Sequence, residues 1–148
     1  MKKSVLIVSL VLLSGTWLFE TCVANAQQGK RTIKSGVFTA AQAKSGESAY
    51  QTNCASCHGS DLHATDAEAP DLTESIFQFG WKGKTVAEVF EQIRSAMPLD
   101  QPRSLDDQTY LDILAFIFQF NGVPSGNQKL EPNLPALQQI VIETPKKK

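Results

Sequence analysis

The chain has 148 residues, 14 basic and 15 acidic side chains, and a formal charge of −1. Nothing in that balance marks a nucleic-acid binder, and the length leaves room for one domain with a modest core.

The chain opens Met1-Lys2-Lys3, runs apolar from Val5 to about Phe19 and reaches Ala24-Asn25-Ala26. A positive start, an apolar middle and small residues at the end form the pattern of a secretory signal peptide, so cleavage after Ala26 and export to the periplasm are expected. As a helix the apolar run would cover about 22 Å, short of the ~30 Å hydrocarbon layer, and no stable membrane span is expected. Glu20, two residues before Cys22, puts a charge where a lipoprotein signal would carry small or apolar residues, so Cys22 is expected to leave with the leader. The mature chain then has 122 residues, a formal charge of −2, and only Cys54 and Cys57 as thiols, which suits an oxidising compartment.

Residues 27–38 are polar without periodicity and read as an exposed arm. Thr39-Ala40-Ala41-Gln42 has the form of a capping box and opens a helix from Ala40 to about Asn53. Its Ala43, Gly46, Ala49 and Tyr50 share one stripe, and the small residues admit a second helix at close range.

Cys54-Ala55-Ser56-Cys57-His58 follows. In an exported chain, two cysteines two residues apart with histidine next read as a covalent haem site, each thiol forming a thioether and the imidazole binding iron. One such motif means one haem. A zinc ribbon would need a second pair of ligands, whereas no cysteine follows Cys57 and the other histidine is His63. A thioredoxin-like pair expects a βαβ surround, and a disulfide across two residues closes almost no loop.

Gly59 to Ala69 reads as a polar loop. His63 lies five residues after His58 on a segment tied to the same face, so it reads as an ordinary exposed histidine. A carbonyl beside the His58 ring would fix its tautomer, and Pro70 is the candidate for that role. Thr73 to Phe79 is expected to form a short helix carrying Ile76, Phe77 and Phe79 as core. Trp81 combines a core ring with an N–H that a haem propionate could accept.

Thr85-Val86-Ala87-Glu88 is a second capping box, starting a helix to about Ala96 with Val86, Val89, Phe90 and Ile93 inward. Pro98 disfavours helical geometry at Met97, which places this methionine on a constrained extended loop. A thioether is a soft ligand suited to a c-type haem iron, so His58 and Met97 are the expected metal ligands. Ser104-Leu105-Asp106-Asp107 starts a last major helix, apolar on nearly all sides, that stops at Asn121-Gly122. Beyond Val123, prolines break any long element, Asn133 caps a short turn, Ile140-Val141-Ile142 runs extended, and Lys146–Lys148 reads as a solvated tail.

From Thr39 to Gly122 these features resemble the class I cytochromes c: an N-terminal helix, CASCH, Pro70-Asp71-Leu72, Met97-Pro98 and an aromatic-rich final helix. Trp81, Lys84-Thr85, Tyr110-Leu111 and Asn121-Gly122-Val123-Pro124 look more narrowly like the small monohaem cytochromes found with quinoprotein (PQQ-dependent) alcohol dehydrogenases. The resemblance implies an all-α fold around one haem c, with Cys54, Cys57, His58, Pro70 and Met97 in the family's roles. It implies an electron carrier rather than an enzyme, with a donor dehydrogenase and an acceptor oxidase or cytochrome as partners. The expected organisation is a leader (1–26), an exposed arm (27–38), the cytochrome domain (39–122) and a C-terminal extension (123–148). A tightly bound dehydrogenase subunit, or a ligand-sensing or peroxidatic haem protein, is the alternative. Where many such relatives carry glycine before the last helix, this chain has Arg103, a cation that either approaches a propionate or faces water.

Overall fold

The computed structural model describes residues 30–144, so the expected leader over 1–26, Cys22 and the Lys146–Lys148 tail lie outside the described residues. The fold is all-α, as the class I cytochrome resemblance implies. Strand β1 (Arg31–Thr32) and a 3-10 turn (Ile33–Ser35) precede α1 (Ala40–Asn53), α2 (Ala55–His58) and α3 (Glu74–Ile76), which widens into a π-helical turn over Phe77–Trp81. Then come α4 (Val86–Ala96), α5 (Asp107–Phe120), α6 (Leu134–Leu137) and strand β2 (Ile140–Val141). Among the described residues no helix is long and apolar enough to cross a membrane.

Two helices organise the rest. Thr39 caps α1, its hydroxyl accepting from the Gln42 amide at 3.0 Å, and Asp106 caps α5 by accepting from the Thr109 amide at 3.0 Å. The α1 stripe of small residues meets α5 backbone to backbone. A methyl group on Gly46 would come within 1.8 Å of the Asp112 carbonyl oxygen, so only glycine permits this crossing. Helix α5 buries Tyr110, Leu111 and every residue from Ile113 to Phe118, because α1 covers one side and other core elements cover the remainder. Phe118 lies 6.3 Å from Phe38, 6.0 Å from Phe77 and 6.4 Å from Trp81, ring centre to ring centre. Such pairs add about 0.5–1.5 kcal/mol each beyond the area they bury.

Helix α4 carries both halves of its capping box: the Thr85 hydroxyl accepts from the Glu88 amide while the Glu88 carboxylate accepts from the Thr85 amide. It stops where Pro98 requires, with Met97 extended at φ −125° and ψ 153°.

Four expectations need correction. The supposed exposed arm is core from its middle onward, since Ile33, Val37 and Phe38 are at most 2% exposed; three apolar residues do not make a periodic stripe, and the signal was lost among polar neighbours. Gln42 does not close the capping box. Its amide instead donates to Asp112 Oδ1 and the Leu130 carbonyl, both at 2.9 Å, and accepts from the Leu130 amide at 2.9 Å, which satisfies a buried polar group that would otherwise cost stability. Phe79 is not core but 87% exposed, because the π-helical turn rotates it away while Phe77 and Trp81 face inward. The segment beyond Gly122 is no mere extension: Leu130, Leu137, Ile140 and Ile142 join the same hydrophobic core.

That segment closes the molecule as a strap. Strand β2 pairs in parallel with β1, Arg31 opposite Ile140 and Thr32 opposite Val141. Beyond it, the Ile142 amide donates to the Lys84 carbonyl at 2.8 Å and the Gly83 amide to the Ile142 carbonyl at 2.9 Å.

Candidate functional site

The motif is itself a turn of helix. The Cys57 and His58 amides both donate to the Cys54 carbonyl, at 3.3 and 3.0 Å. Positions i, i+3 and i+4 share a helix face, so Cys54, Cys57 and His58 project to one side. The spacing of the motif therefore has a local cause: one helical turn brings three reactive side chains together. Gly59, at φ +73°, ends the turn, and a methyl group there would come within 1.9 Å of the His63 carbonyl oxygen.

Tyr50, one turn earlier on α1 and fully buried, reaches over this turn and donates to the Gly59 carbonyl at 2.8 Å, with the His58 carbonyl at 3.2 Å. Burial raises its phenol well above the ordinary tyrosine range, with smaller contributions from Cys54 and Asp61, so the hydroxyl stays a donor.

The loop that follows folds back on the motif. The Thr65 and Asp66 amides donate to the Cys57 carbonyl at 2.9 and 3.2 Å, and the Leu72 amide donates to the Leu62 carbonyl at 2.8 Å. The Ala64 amide is held by Asp71 Oδ1 at 2.7 Å. This folding delivers the Pro70 carbonyl to His58 Nδ1 at 2.9 Å. A carbonyl can only accept, so Nδ1 carries the proton and the lone pair is left on Nε2. The Pro70 carbonyl thus lies beside the ring of a buried histidine and holds it in one tautomer, with Nε2 the nitrogen left to act as a ligand. His63 stays apart, exposed, with Nδ1 turned to Asp61.

Met97, at the end of α4, is half-buried. Its carbonyl accepts from the Tyr110 hydroxyl at 2.7 Å, and Arg94 pairs with Glu91 at 3.1 Å and with Asp107 at 3.2 Å, tying the end of α4 to the start of α5. At the far end of α5 the Asn121 carboxamide donates to the Leu72 carbonyl at 2.9 Å. One helix thus holds the Met97 loop at its first turn and the Pro70–Leu72 loop at its last. Tyr50, Tyr110 and Asn121 had no role at the site in the sequence reading. The one available signal was that a phenol on an apolar helix needs a buried partner for its hydroxyl.

Trp81 is 3% exposed and packs edge-on to Phe77 and Phe118; its indole N–H makes no hydrogen bond among the described residues. Arg103 sits exposed on the loop before α5 at φ +64°, the left-handed region where glycine is favoured.

The thiols discriminate between chemistries. Cys54 and Cys57 are free rather than joined. Burial, and secondarily Cys57, pushes the Cys54 thiol up to about 11, opposite to the depressed value of a reactive redox pair. A zinc ribbon lacks its ligands, since no cluster of three or more His, Cys, Asp or Glu side chains suited to a metal occurs among the described residues. Two unpaired thiols on one helical face, next to a histidine whose Nε2 is free, fit covalent haem.

A family model described as cytochrome c oxidase, cbb3-type, subunit III matches residues 41–117. The match runs from the start of α1 into α5 and takes in the motif, Pro70, Trp81 and Met97. No curated protein and no solved structure matches the chain.

Proposed function

The chain belongs to the cytochrome c oxidase, cbb3-type, subunit III family, and we propose that it is an exported, periplasmic monohaem cytochrome that carries single electrons from a quinoprotein dehydrogenase to an acceptor such as a terminal oxidase. Family membership makes it a c-type cytochrome: an electron carrier with covalently bound haem c. The observation that carries the assignment of the site is the 2.9 Å hydrogen bond between His58 Nδ1 and the Pro70 carbonyl.

When bound, haem c would supply a one-electron iron couple, with His58 and Met97 as the side chains to ligate it. In this reading Cys54 and Cys57 would hold the ring as thioethers and His58 Nε2 would ligate the iron. The Pro70 carbonyl raises the basicity of that imidazole by accepting its other proton. Met97 would provide a thioether ligand, which would lift the reduction potential above that of a nitrogen ligand. Trp81 holds its ring in the aromatic core and offers its N–H to a propionate. A site that keeps the same ligands in both oxidation states needs little reorganisation, and weak, short-lived docking suits the exchange of partners.

The resemblance to quinoprotein-associated cytochromes supports the donor, and the family description supports the oxidase as acceptor. A second reading has a specific observation behind it: the family is described as an oxidase subunit, so the chain could work as a fixed subunit of a larger redox complex. Purification without detergent from the native source, followed by stopped-flow mixing with a quinoprotein alcohol dehydrogenase and then with oxidase, separates the two. Free protein reduced and reoxidised within milliseconds to seconds supports the carrier. Recovery only with a larger enzyme supports the subunit, and failure to accept electrons from the dehydrogenase removes the proposed donor.

A further inference from the structure

Tyr110 and Tyr50 occupy corresponding places at the two halves of the site. Each is at most 1% exposed, each stands on one member of the α1–α5 pair, and each hydroxyl donates to a backbone carbonyl at or next to an expected iron ligand. Their surroundings differ. The His58 segment is held many times over: its ring by Pro70, its amide by the Cys54 carbonyl, and the Cys57 carbonyl by two amides of the loop. The Met97 segment has less support. Its amide closes the last turn of α4 on the Ile93 carbonyl at 2.8 Å, and Pro98 brings no N–H to the next peptide. Among the described residues, the hydrogen bond from Tyr110 is the one that a side chain makes to the Met97 backbone.

Tyr110 is also well placed to act as a fixed support. It lies on the first turn of α5, where Asp106 caps the helix and Arg94 bridges Asp107 to α4, and the Gly46 crossing locks α5 against α1. Movement of the Met97 carbonyl away from the core must break this short bond to a buried phenol.

We infer that Tyr110 is a positioning residue for the Met97 thioether, and that its hydroxyl makes the methionine slow to yield the iron to outside ligands. The inference rests on the reading of Met97 as distal ligand. It does not concern the potential alone but the closure of the sixth position, which separates an electron carrier from a ligand-binding haem protein.

The test is imidazole titration of the ferric holoprotein, in which the imidazole nitrogen replaces the thioether without any change of oxidation state. Wild type, Tyr110→Phe and Gln42→Leu are compared; the last removes a buried hydrogen-bonding group that joins α1 to Leu130 and to Asp112 on α5 and makes no hydrogen bond to either ligand loop. Tyr110→Phe should raise imidazole affinity about five- to tenfold, the worth of one buried hydrogen bond. Gln42→Leu should lower thermal stability without raising that affinity. Equal affinity in wild type and Tyr110→Phe, or an equal rise in both variants, overturns the inference. Wild-type ferric protein lacking the sulfur-to-iron charge-transfer absorption overturns methionine ligation itself, a separate failure. Tyr50 and Tyr110 are the two tyrosines of the chain, so 3-fluorotyrosine incorporated into Tyr50→Phe alters the Tyr110 hydroxyl alone. The stronger donor should lower imidazole affinity relative to unlabelled Tyr50→Phe, even if Tyr110→Phe yields no holoprotein, and a rise in affinity contradicts the inference.

Discussion

Gly46 and Asp112 meet so closely that the α carbon of one helix rests against the carbonyl of the other, leaving no space for a methyl group. Both functional loops are suspended from this helix pair, so the contact matters well beyond its own size. Gly46→Ala should force α1 and α5 apart and cost about 3 kcal/mol, the upper part of the usual overpacking range. Denaturant unfolding of the holoprotein measures it, with Ser45→Ala on the exposed side as a control expected within about 0.5 kcal/mol of wild type. Equal stability of the two variants would mean that the crossing is less tight than described.

Met97→Ala removes the expected thioether. The reduction potential should fall, and reduced protein that resists carbon monoxide at neutral pH should come to bind it stoichiometrically. Potentiometry and carbon monoxide difference spectra read the two effects. An unchanged potential would argue against methionine ligation, and ready carbon monoxide binding by the wild type would favour the ligand-sensing alternative.

Arg103 adopts φ +64°, a conformation that costs an ordinary L-residue about 1–2 kcal/mol. Glycine removes that strain but loses about 0.5–1 kcal/mol in chain entropy. Arg103→Gly should therefore stabilise by roughly 0.5–1 kcal/mol and raise Tm by about 3 °C. Differential scanning calorimetry decides the matter. A shifted reduction potential with unchanged Tm would instead assign the side chain to a charge beside a propionate.

Acid should weaken the caps of α4 and α5. Hydrogen bonds from the Thr85 backbone, then from its hydroxyl, hold the Glu88 carboxyl below its ordinary value. The Thr109 hydroxyl, then the Thr109 amide, do the same for Asp106. A carboxylate with a lowered folded-state value binds its proton more readily in the unfolded chain. Its stabilisation is complete above the ordinary carboxylate range and is lost as pH falls through the folded-state value. Glu88→Gln with Asp106→Asn should be less stable than wild type at pH 7 and should show a shallower loss of Tm between about pH 5 and pH 2. Parallel Tm curves for the two proteins would show that the caps do not drive acid unfolding.

The parts of the molecule that were legible in the sequence are those with a local cause. Ala40–Asn53 has the observed bounds of α1, Thr85 and Glu88 announce α4, and Pro98 fixes the extended geometry of Met97 through its own ring sterics. A carbonyl beside His58 is an expectation drawn from what a metal-bound imidazole requires, and the Pro70 oxygen lies 2.9 Å from Nδ1. What escaped was contact between distant segments. Ile33 belongs to a core that Ile140 and Ile142, more than a hundred residues later, help to complete, and Gln42 leaves its capping box because Leu130 offers a better-buried partner. The Tyr110–Met97 bond joins residues 13 positions apart across two helices, and no periodicity reports such a pairing. Phe79 failed for a different reason: one wide helical turn rotated its side chain away from the face that regular spacing assigns.

The parallel pairing of β1 with β2 also sets an order of assembly. Arg31 cannot find Gln128, 97 positions away, or the Gln139 carbonyl until the chain has been made as far as those residues. Until then the strap is missing, and the α1–α5 frame has neither Leu130 nor Ile140 against it. The turn that carries Cys54, Cys57 and His58 needs none of those late residues, because its hydrogen bonds run to the Cys54 carbonyl.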